Sequence, residues 1–206
     1  MKGLLLKEWY LVTKYCKGGM LVIFIFLATA LLGNNSVFFL SFPCVYASTL
    51  PATMMSYDER MRWNTYCAVL PYHKWQVVLA KYLAGLGMMV FALGMTALTM
   101  LAWPLLGRAI SMSSFASFLV IALCAGLIAA SLLMPCLHKF GVEKGRFAYY
   151  GIIVFTAAST FLLSDSGSPD MAMDGAGLYG CAAVIAAAVY LLSYFLCVRI
   201  ERKKEL

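Results

Sequence analysis

The segment from residue 54 to residue 66 carries the densest group of charged and aromatic side chains in this chain. Charges of both signs beside a tryptophan suit protein recognition, because buried Trp and Arg side chains commonly dominate interfaces. A hairpin between two membrane helices needs only a few residues, so a polar connection of this length favours a binding role. Anchoring of basic side chains at the membrane surface is the alternative interpretation. The candidate contact residues here are Asp58, Glu59, Arg60, Arg62, Trp63 and Tyr66.

Residues for covalent or metal chemistry form no recognisable motif in the sequence. The H-E-x-x-H and G-x-S-x-G patterns are absent, and so is the nucleotide-binding pattern G-x-x-x-x-G-K-[ST]. The seven cysteines have no C-x-x-C spacing, so neither a disulfide framework nor a zinc site is predicted. His73 and His138 stand at predicted membrane boundaries, where a lone histidine is more often an interfacial group than a ligand. We therefore expect a protein that is not an enzyme and binds no cofactor itself.

Composition places the chain in the membrane class. Hydrophobic residues make up 63% of the 206 residues and charged residues only 12%, far from the range of soluble domains. A spanning helix needs about 20 apolar residues, and six segments of suitable composition occur. The predicted spans are 18–32, 37–55, 77–105, 115–137, 147–163 and 177–198. None has an ionisable residue at its predicted midplane, which disfavours an ion-coupled carrier.

The distribution of cations predicts the topology. Every lysine and arginine except Arg108 falls on one side of the six spans, with Lys81 near the end of span 77–105 that faces this side, and such residues concentrate in cytoplasmic segments. Both termini are therefore predicted to be cytoplasmic. The opposite side carries an acidic, irregular loop over residues 164–176. The basic residues are spread over several segments rather than one face, so lipid headgroups are a better partner for them than nucleic acid.

Two surface helices are predicted on the cytoplasmic side. Residues 1–17 form an amphipathic interfacial helix with Leu5, Trp9 and Val12 on one face and Lys7 and Lys14 on the other.

The second surface helix lies in the loop 56–76. Ser56 followed by Glu59 has the spacing of a capping box, and Asp58 suits the positive end of a helix dipole. Pro71 ends the pattern, which leaves a helix of about 12 residues.

Three segments of this sequence resemble one family of transport proteins. Residues 58–63, followed by Leu70-Pro71 with Lys74 and by Lys81-Tyr82, are similar to the DE-x-x-x-W, LP-x-x-[KR] and KY pattern of small ABC-2 type transporter permeases. The opening residues 1–10 resemble the amino terminus of that family, and residues 139–146 resemble its second cytoplasmic loop. These segments follow one another in the family's order.

The resemblance implies an all-α integral membrane protein of the type V, or ABC-2 exporter-like, arrangement. It implies six transmembrane helices in a single permease domain over residues 1–206, with a coupling helix between spans two and three that docks on a separate ATPase. ATP and Mg would be bound by that ATPase. A second contact with it is implied at Lys139, Glu143 and Arg146.

The same resemblance implies an exporter in the bacterial cytoplasmic membrane. Six spans without an internal duplication favour a dimer, formed with a second copy or with a homologous permease. Spans rich in Met and aromatic residues suit hydrophobic or amphipathic substrates, among them antimicrobial or toxin-like peptides, lipids and drugs, and the sequence does not choose among these.

The alternative function is a non-transporting interaction, immunity or sensor protein that binds a cytoplasmic partner through the same loop.

Overall fold

The computed structural model describes residues 2–32, 36–69, 73–106, 112–165 and 176–203. Every regular element in these ranges is helical. A short 3₁₀ helix, Trp103–Leu106, follows the fifth α-helix. The α-helices in chain order are α1 Lys2–Tyr15, α2 Lys17–Leu32, α3 Ser36–Arg60, α4 Trp63–Val69, α5 Lys74–Ala102, α6 Met112–Asp165 and α7 Ala176–Lys203.

Three helical segments among the described residues are long and apolar enough to cross a membrane: Lys74–Ala102, Phe115–Val142 and Gly180–Glu201. Helices α1 and α2 meet at 63° and add a fourth only if the bent pair counts as one span. The predicted second span lies in α3, whose prolines, serines and threonines lower its hydropathy. The predicted fifth span lies in the second half of α6. The helices thus contain all six predicted segments, but only some qualify as spans by themselves.

Helix α3 is the centre of the bundle and packs against α2, α5 and α6. Its Pro43 and Pro51 are fully buried, which a membrane helix tolerates when its neighbours cover the exposed backbone. A Cβ at Gly85 would come within 2.9 Å of the Pro51 ring. Gly85 therefore permits the close approach of α5 to α3.

Two buried hydroxyl groups of α3 bond to their own helix. The hydroxyl of Ser48 donates to the carbonyl of Val45 at 2.6 Å, and that of Thr49 donates to the carbonyl of Tyr46 at 2.7 Å. Such bonds satisfy a hydroxyl without a partner on another helix. A helix of modest hydropathy can therefore occupy the middle of the bundle.

The core has two apolar clusters on either side of α3. One joins α3 to α5, α6 and α7 around Met134, Leu133 and Tyr82. The other joins α1, α2, α3 and α5 around Ile23 and Leu40. Since α1 contributes to the second cluster, it is part of the folded bundle as well as a candidate surface helix.

Helix α6 turns sharply at Gly141, where φ is 76° and ψ is 172°. This backbone region is essentially restricted to glycine. The sequence predicted two spans separated by a loop at this point, and the structure has two helical halves of α6 that meet directly at the non-helical Gly141. The predicted external loop 164–176 falls largely outside the described residues, which end at 165 and resume at 176.

The prediction that a helix begins at Ser56 was wrong. Helix α3 runs without interruption through Ser56 to Arg60, and the seven-residue α4 begins only at Trp63 after a two-residue turn. Arg62 in that turn has a φ of 51°. Asp58 therefore lies at the carboxyl end of a helix, where the dipole disfavours a carboxylate, and other contacts must stabilise it there.

The exposed face of α1 differs in part from the predicted one. Val12 is buried together with Leu4, Glu8 and Leu11. Leu5 and Trp9 are exposed, with Leu6 and Tyr10 beside them. Lys14 is exposed as predicted. The helix thus turns a face containing a glutamate towards the protein, where Glu8 pairs with the adjacent Lys7, and it leaves aromatic and leucine side chains uncovered.

Candidate partner-binding surface

A chain of ion pairs crosses from α1 through α3 to α5. The ammonium of Lys7 lies 3.0 Å from Glu8 Oε1 and 2.5 Å from Asp58 Oδ1, and that of Lys81 lies 2.6 Å from Asp58 Oδ2. Asp58, Glu8 and Lys81 are buried, whereas Lys7 is partly exposed. We call Glu8, Lys7, Asp58 and Lys81 the ion-pair chain.

The ion-pair chain balances its charges, with two acidic and two basic side chains in alternation. Buried charges are tolerated when they are paired and hydrogen-bonded. The two ammonium groups offset the unfavourable dipole that Asp58 meets at the end of α3. The sequence predicted an outer contact for Asp58, and the structure directs its carboxylate inward.

Trp63 also faces the ion-pair chain. The Lys7 ammonium lies 4.5 Å from the centre of the Trp63 ring, within the range of a cation–π contact. The indole is half-buried, and its Nε1 has no hydrogen-bond partner among the described residues. The Tyr66 ring lies 5.7 Å from the Trp63 ring and is 62% exposed. Trp63 thus holds α4 against the bundle, and Tyr66 covers it from outside.

Glu59 joins the end of α3 to the corner of α6. Its Oε1 accepts a hydrogen bond from the Val142 backbone N–H at 3.0 Å. Because Gly141 interrupts the α6 backbone pattern immediately before Val142, that N–H needs a partner from elsewhere. The two segments expected to contact an ATPase are therefore connected directly.

A second polar cluster connects the ends of α5, α6 and α7. Nδ1 of the buried His138 lies 2.9 Å from Glu201 Oε1, and Lys74 donates to the Glu201 backbone carbonyl at 3.3 Å. The partners Glu8, Lys81 and Glu201 were not predicted from the sequence. The available signal was the presence of isolated acids, Glu8 and Glu201, in otherwise basic segments.

These contacts bring the basic segments to one end of the helix bundle. The ion-pair chain unites α1, α3 and α5, the Glu59 bond adds α6, and Glu201 adds α7. This arrangement is consistent with the prediction that the basic segments share one side of the membrane. Each contact joins helix ends that the distribution of lysine and arginine assigns to that side.

An exposed surface lies outside these contacts, and we call it the outer basic surface. Its apolar members are well exposed, with Met61 at 57%, Tyr66 at 62% and Phe140 at 55%. The Lys139 ammonium lies 5.1 Å from the Phe140 ring. Glu143 and Arg146 lie in α6, but the structure does not describe their side chains. The outer basic surface comprises Arg60, Met61, Arg62, Tyr66, Lys139 and Phe140.

The exposed side chains at this end of the molecule are of types that suit recognition of a protein partner. Burial, together with the Asp58 carboxylate, raises the pKa of the Cys67 thiol on α4, while Lys7 and Lys81 reduce the rise. A raised pKa makes a thiol a poorer nucleophile at neutral pH. In the ranges that the structure describes, no group of His, Cys, Asp or Glu is arranged to hold a metal ion. Exposed Arg, Met and aromatic side chains are the types enriched where proteins meet.

Comparison with known proteins identifies the family. Residues 3–201 match the family described as ABC-2 family transporter protein. No curated protein and no solved structure matches the chain. The match spans nearly the whole sequence and includes the three resembling segments except for residues 1 and 2. It agrees with an all-helical fold that contains membrane-length apolar helices. The chain is therefore a multi-pass membrane protein that belongs to the ABC-2 transporter family.

Proposed function

We propose that the chain is the permease subunit of an ATP-driven exporter and that its outer basic surface binds the ATPase. The observation that carries this proposal is the exposure of Arg60, Met61, Arg62 and Tyr66 at and just beyond the end of α3 in a member of the ABC-2 family. Cations beside exposed aromatic and methionine side chains suit a partner with acidic groups around an apolar pocket.

The contacts at the end of α3 suggest how a displacement of this surface by the ATPase is transmitted to the membrane helices. Arg60 and Arg62 flank the end of α3, which the ion-pair chain connects to α1 and α5. Glu59 connects the same turn to α6. Coupling between sites requires a contiguous arrangement that both sites bias, and these contacts supply a continuous connection.

The predicted site residues then divide into two roles. Arg60, Arg62, Tyr66 and Lys139 contact the ATPase, and Glu143 and Arg146 extend that contact from the α6 side. Asp58 and Trp63 are positioning residues, since they are directed at Lys7 inside the chain. Glu59 holds the α6 corner at the rim of the surface.

The remaining parts of the proposal concern the membrane. Six helical segments cross it, α1 lies at the cytoplasmic surface with Trp9 and Leu5 in lipid, and both termini are cytoplasmic in a bacterial inner membrane. The 63° angle between α1 and α2 supports this placement of α1. Two copies, or this chain and a homologous permease, form a path for hydrophobic or amphipathic substrates. ATP and Mg are bound by the ATPase.

The test is co-purification and ATP hydrolysis with a cognate ATPase subunit, co-expressed with this chain and reconstituted in lipid. The variant Arg60→Glu/Arg62→Glu reverses two charges of the outer basic surface. We expect it to lose ATPase binding, or to leave the ATPase bound with turnover that no longer responds to the chain. The control Lys2→Glu/Lys203→Glu reverses two exposed charges elsewhere.

Each result has a defined meaning. Loss in the Arg60/Arg62 variant alone supports the proposal. Equal binding and turnover in parent and variant would show that the surface is only a membrane anchor. An ATPase that binds through this surface while its turnover never responds to the chain would favour a non-transporting interaction or sensor protein.

A further inference from the structure

A surface groove lies between the beginning of α5 and the end of α7. It is lined by Trp75 from α5 and by Tyr194, Phe195, Val198 and Arg199 from α7. The Tyr194 hydroxyl donates to the Trp75 backbone carbonyl at 3.4 Å and joins the two walls. The groove is separate from the outer basic surface, which is formed by α3, α4 and the α6 corner.

The groove lies at a membrane boundary. The candidate span Lys74–Ala102 begins beside it, and the candidate span Gly180–Glu201 ends beside it. Trp and Tyr side chains are enriched at this depth, where their rings contact both headgroups and acyl chains. A ligand in the groove therefore meets an aqueous rim and an apolar wall together.

Arg199 supplies an available positive charge at the rim. Its side chain is exposed, and it has no ion pair or hydrogen bond among the described residues. The nearby acid Glu201 pairs instead with His138. A guanidinium can bind a phosphate through two parallel hydrogen bonds.

An apolar strip continues from Arg199 along α7. Phe195 is 65% exposed, and Leu192, one turn earlier on the same side, is 62% exposed. Basic pockets between membrane helices bind the headgroups of anionic lipids. The available cation suits a phosphate, the two interfacial aromatic residues suit the glycerol region next to it, and this strip suits an acyl chain. The groove therefore offers these parts in the order in which a phospholipid carries them.

We propose that the groove between α5 and α7 binds one anionic phospholipid, with its phosphate at Arg199, its glycerol ester region between Trp75 and Tyr194, and an acyl chain along Phe195 and Leu192. The site does not depend on the ATPase contact. It makes the chain selective for a lipid type in the leaflet where α5 begins.

The test measures quenching of Trp75 fluorescence in vesicles by lipids brominated on the acyl chain. Brominated phosphatidylglycerol in a phosphatidylcholine bilayer is compared with brominated phosphatidylcholine in the same mixture. The signal of Trp75 is the difference between the full chain and Trp75→Phe. We expect selective quenching by phosphatidylglycerol, and a preference reduced roughly fivefold in Arg199→Gln but retained in Arg199→Lys.

The control is Lys2→Gln, which removes an exposed charge from α1, a helix that does not line the groove. Equal quenching by the two brominated lipids in the parent would overturn the proposal. An equal loss of preference in Lys2→Gln and Arg199→Gln would also overturn it, because the preference would then reflect the general surface charge. Circular dichroism of the variants verifies that each remains helical.

Discussion

The carboxylate of Glu59 and the backbone N–H of Val142 are 3.0 Å apart and form the bond that ties the end of α3 to the corner of α6. The corner exists because Gly141 adopts a φ of 76°, and the bond satisfies the first N–H after it. The rim of the outer basic surface is therefore fixed from two helices, and a change in either partner should be detectable.

Replacing Gly141 by alanine should destabilise the protein by ~1–3 kcal/mol, because a Cβ is strained in this backbone region. Crowding is not the cause, since the nearest atom to the new Cβ is Glu59 Oε1 at 3.6 Å. Reversible unfolding in mixed micelles measures the change. The control is Gly151→Ala, also in α6 with open space around it, which should be neutral or stabilising by up to ~1 kcal/mol. Equal effects at the two sites would contradict the strained corner.

Glu59→Gln should retain stability, whereas Glu59→Ala should lose ~1 kcal/mol, because an amide oxygen can still accept the Val142 hydrogen bond and a methyl group cannot. The comparison of unfolding free energies separates the acceptor role of Glu59 from its charge. If glutamine and alanine were equally destabilising, the charge rather than the hydrogen bond would be what matters at this position.

Asp58→Asn should destabilise the protein by ~3–5 kcal/mol, since it leaves the buried Lys81 ammonium without its counter-charge. Asp58→Leu combined with Lys81→Met removes both charges and should recover much of that loss. Thermal unfolding of the single and double variants gives the coupling between the two sites. Arg60→Gln, at an exposed position, should stay within ~0.5 kcal/mol of the parent. Additive losses at Asp58 and Lys81 would contradict the ion-pair chain.

Tyr82→Phe should destabilise the packing of α5 on α7 by ~0.5–1.5 kcal/mol. The Tyr82 hydroxyl lies 2.8 Å from Ser193 Oγ and 3.1 Å from Cys197 Sγ, and all three residues are buried. Unfolding free energies measure the loss, and Tyr150→Phe at an exposed position of α6 is the matched control. A loss at Tyr150 as large as that at Tyr82 would indicate that the bonds contribute nothing.

Cys67 should react slowly with alkylating reagents at neutral pH. Burial raises the pKa of its thiol above the ordinary value of 9.0, so a smaller fraction is thiolate than in a free cysteine. The alkylation rate of a variant with Cys67 as its single cysteine should increase with pH and should reach its half-maximum at a higher pH than that of a short cysteine peptide. A midpoint at or below that of the peptide would disprove the buried environment of Cys67.

Sequence patterns predicted the class of this protein because the hydropathy and charge of a segment depend only on its own residues and not on its packing partners. The apolar segments, the one-sided distribution of lysine and arginine and the segment around Asp58 and Trp63 sufficed for the membrane class and the family, which the match over residues 3–201 confirms. Arg60, Arg62, Tyr66 and Lys139, which the sequence indicated as contact residues, are exposed in the structure, and their contact with an ATPase stays a prediction.

The direction of Asp58, and with it the organisation of the site, depended on tertiary structure. The capping pattern at Ser56 and Glu59 favoured a new helix, but α3 continues because Lys7, 51 residues away, and Lys81 stabilise Asp58 at its end. Glu59 likewise finds Val142 across 83 residues. Local periodicity contains no information about such partners, since their separation in the chain is closed only when the helices pack. Sequence alone therefore determined which residues lie at this end of the molecule, and packing decided which of them face inward.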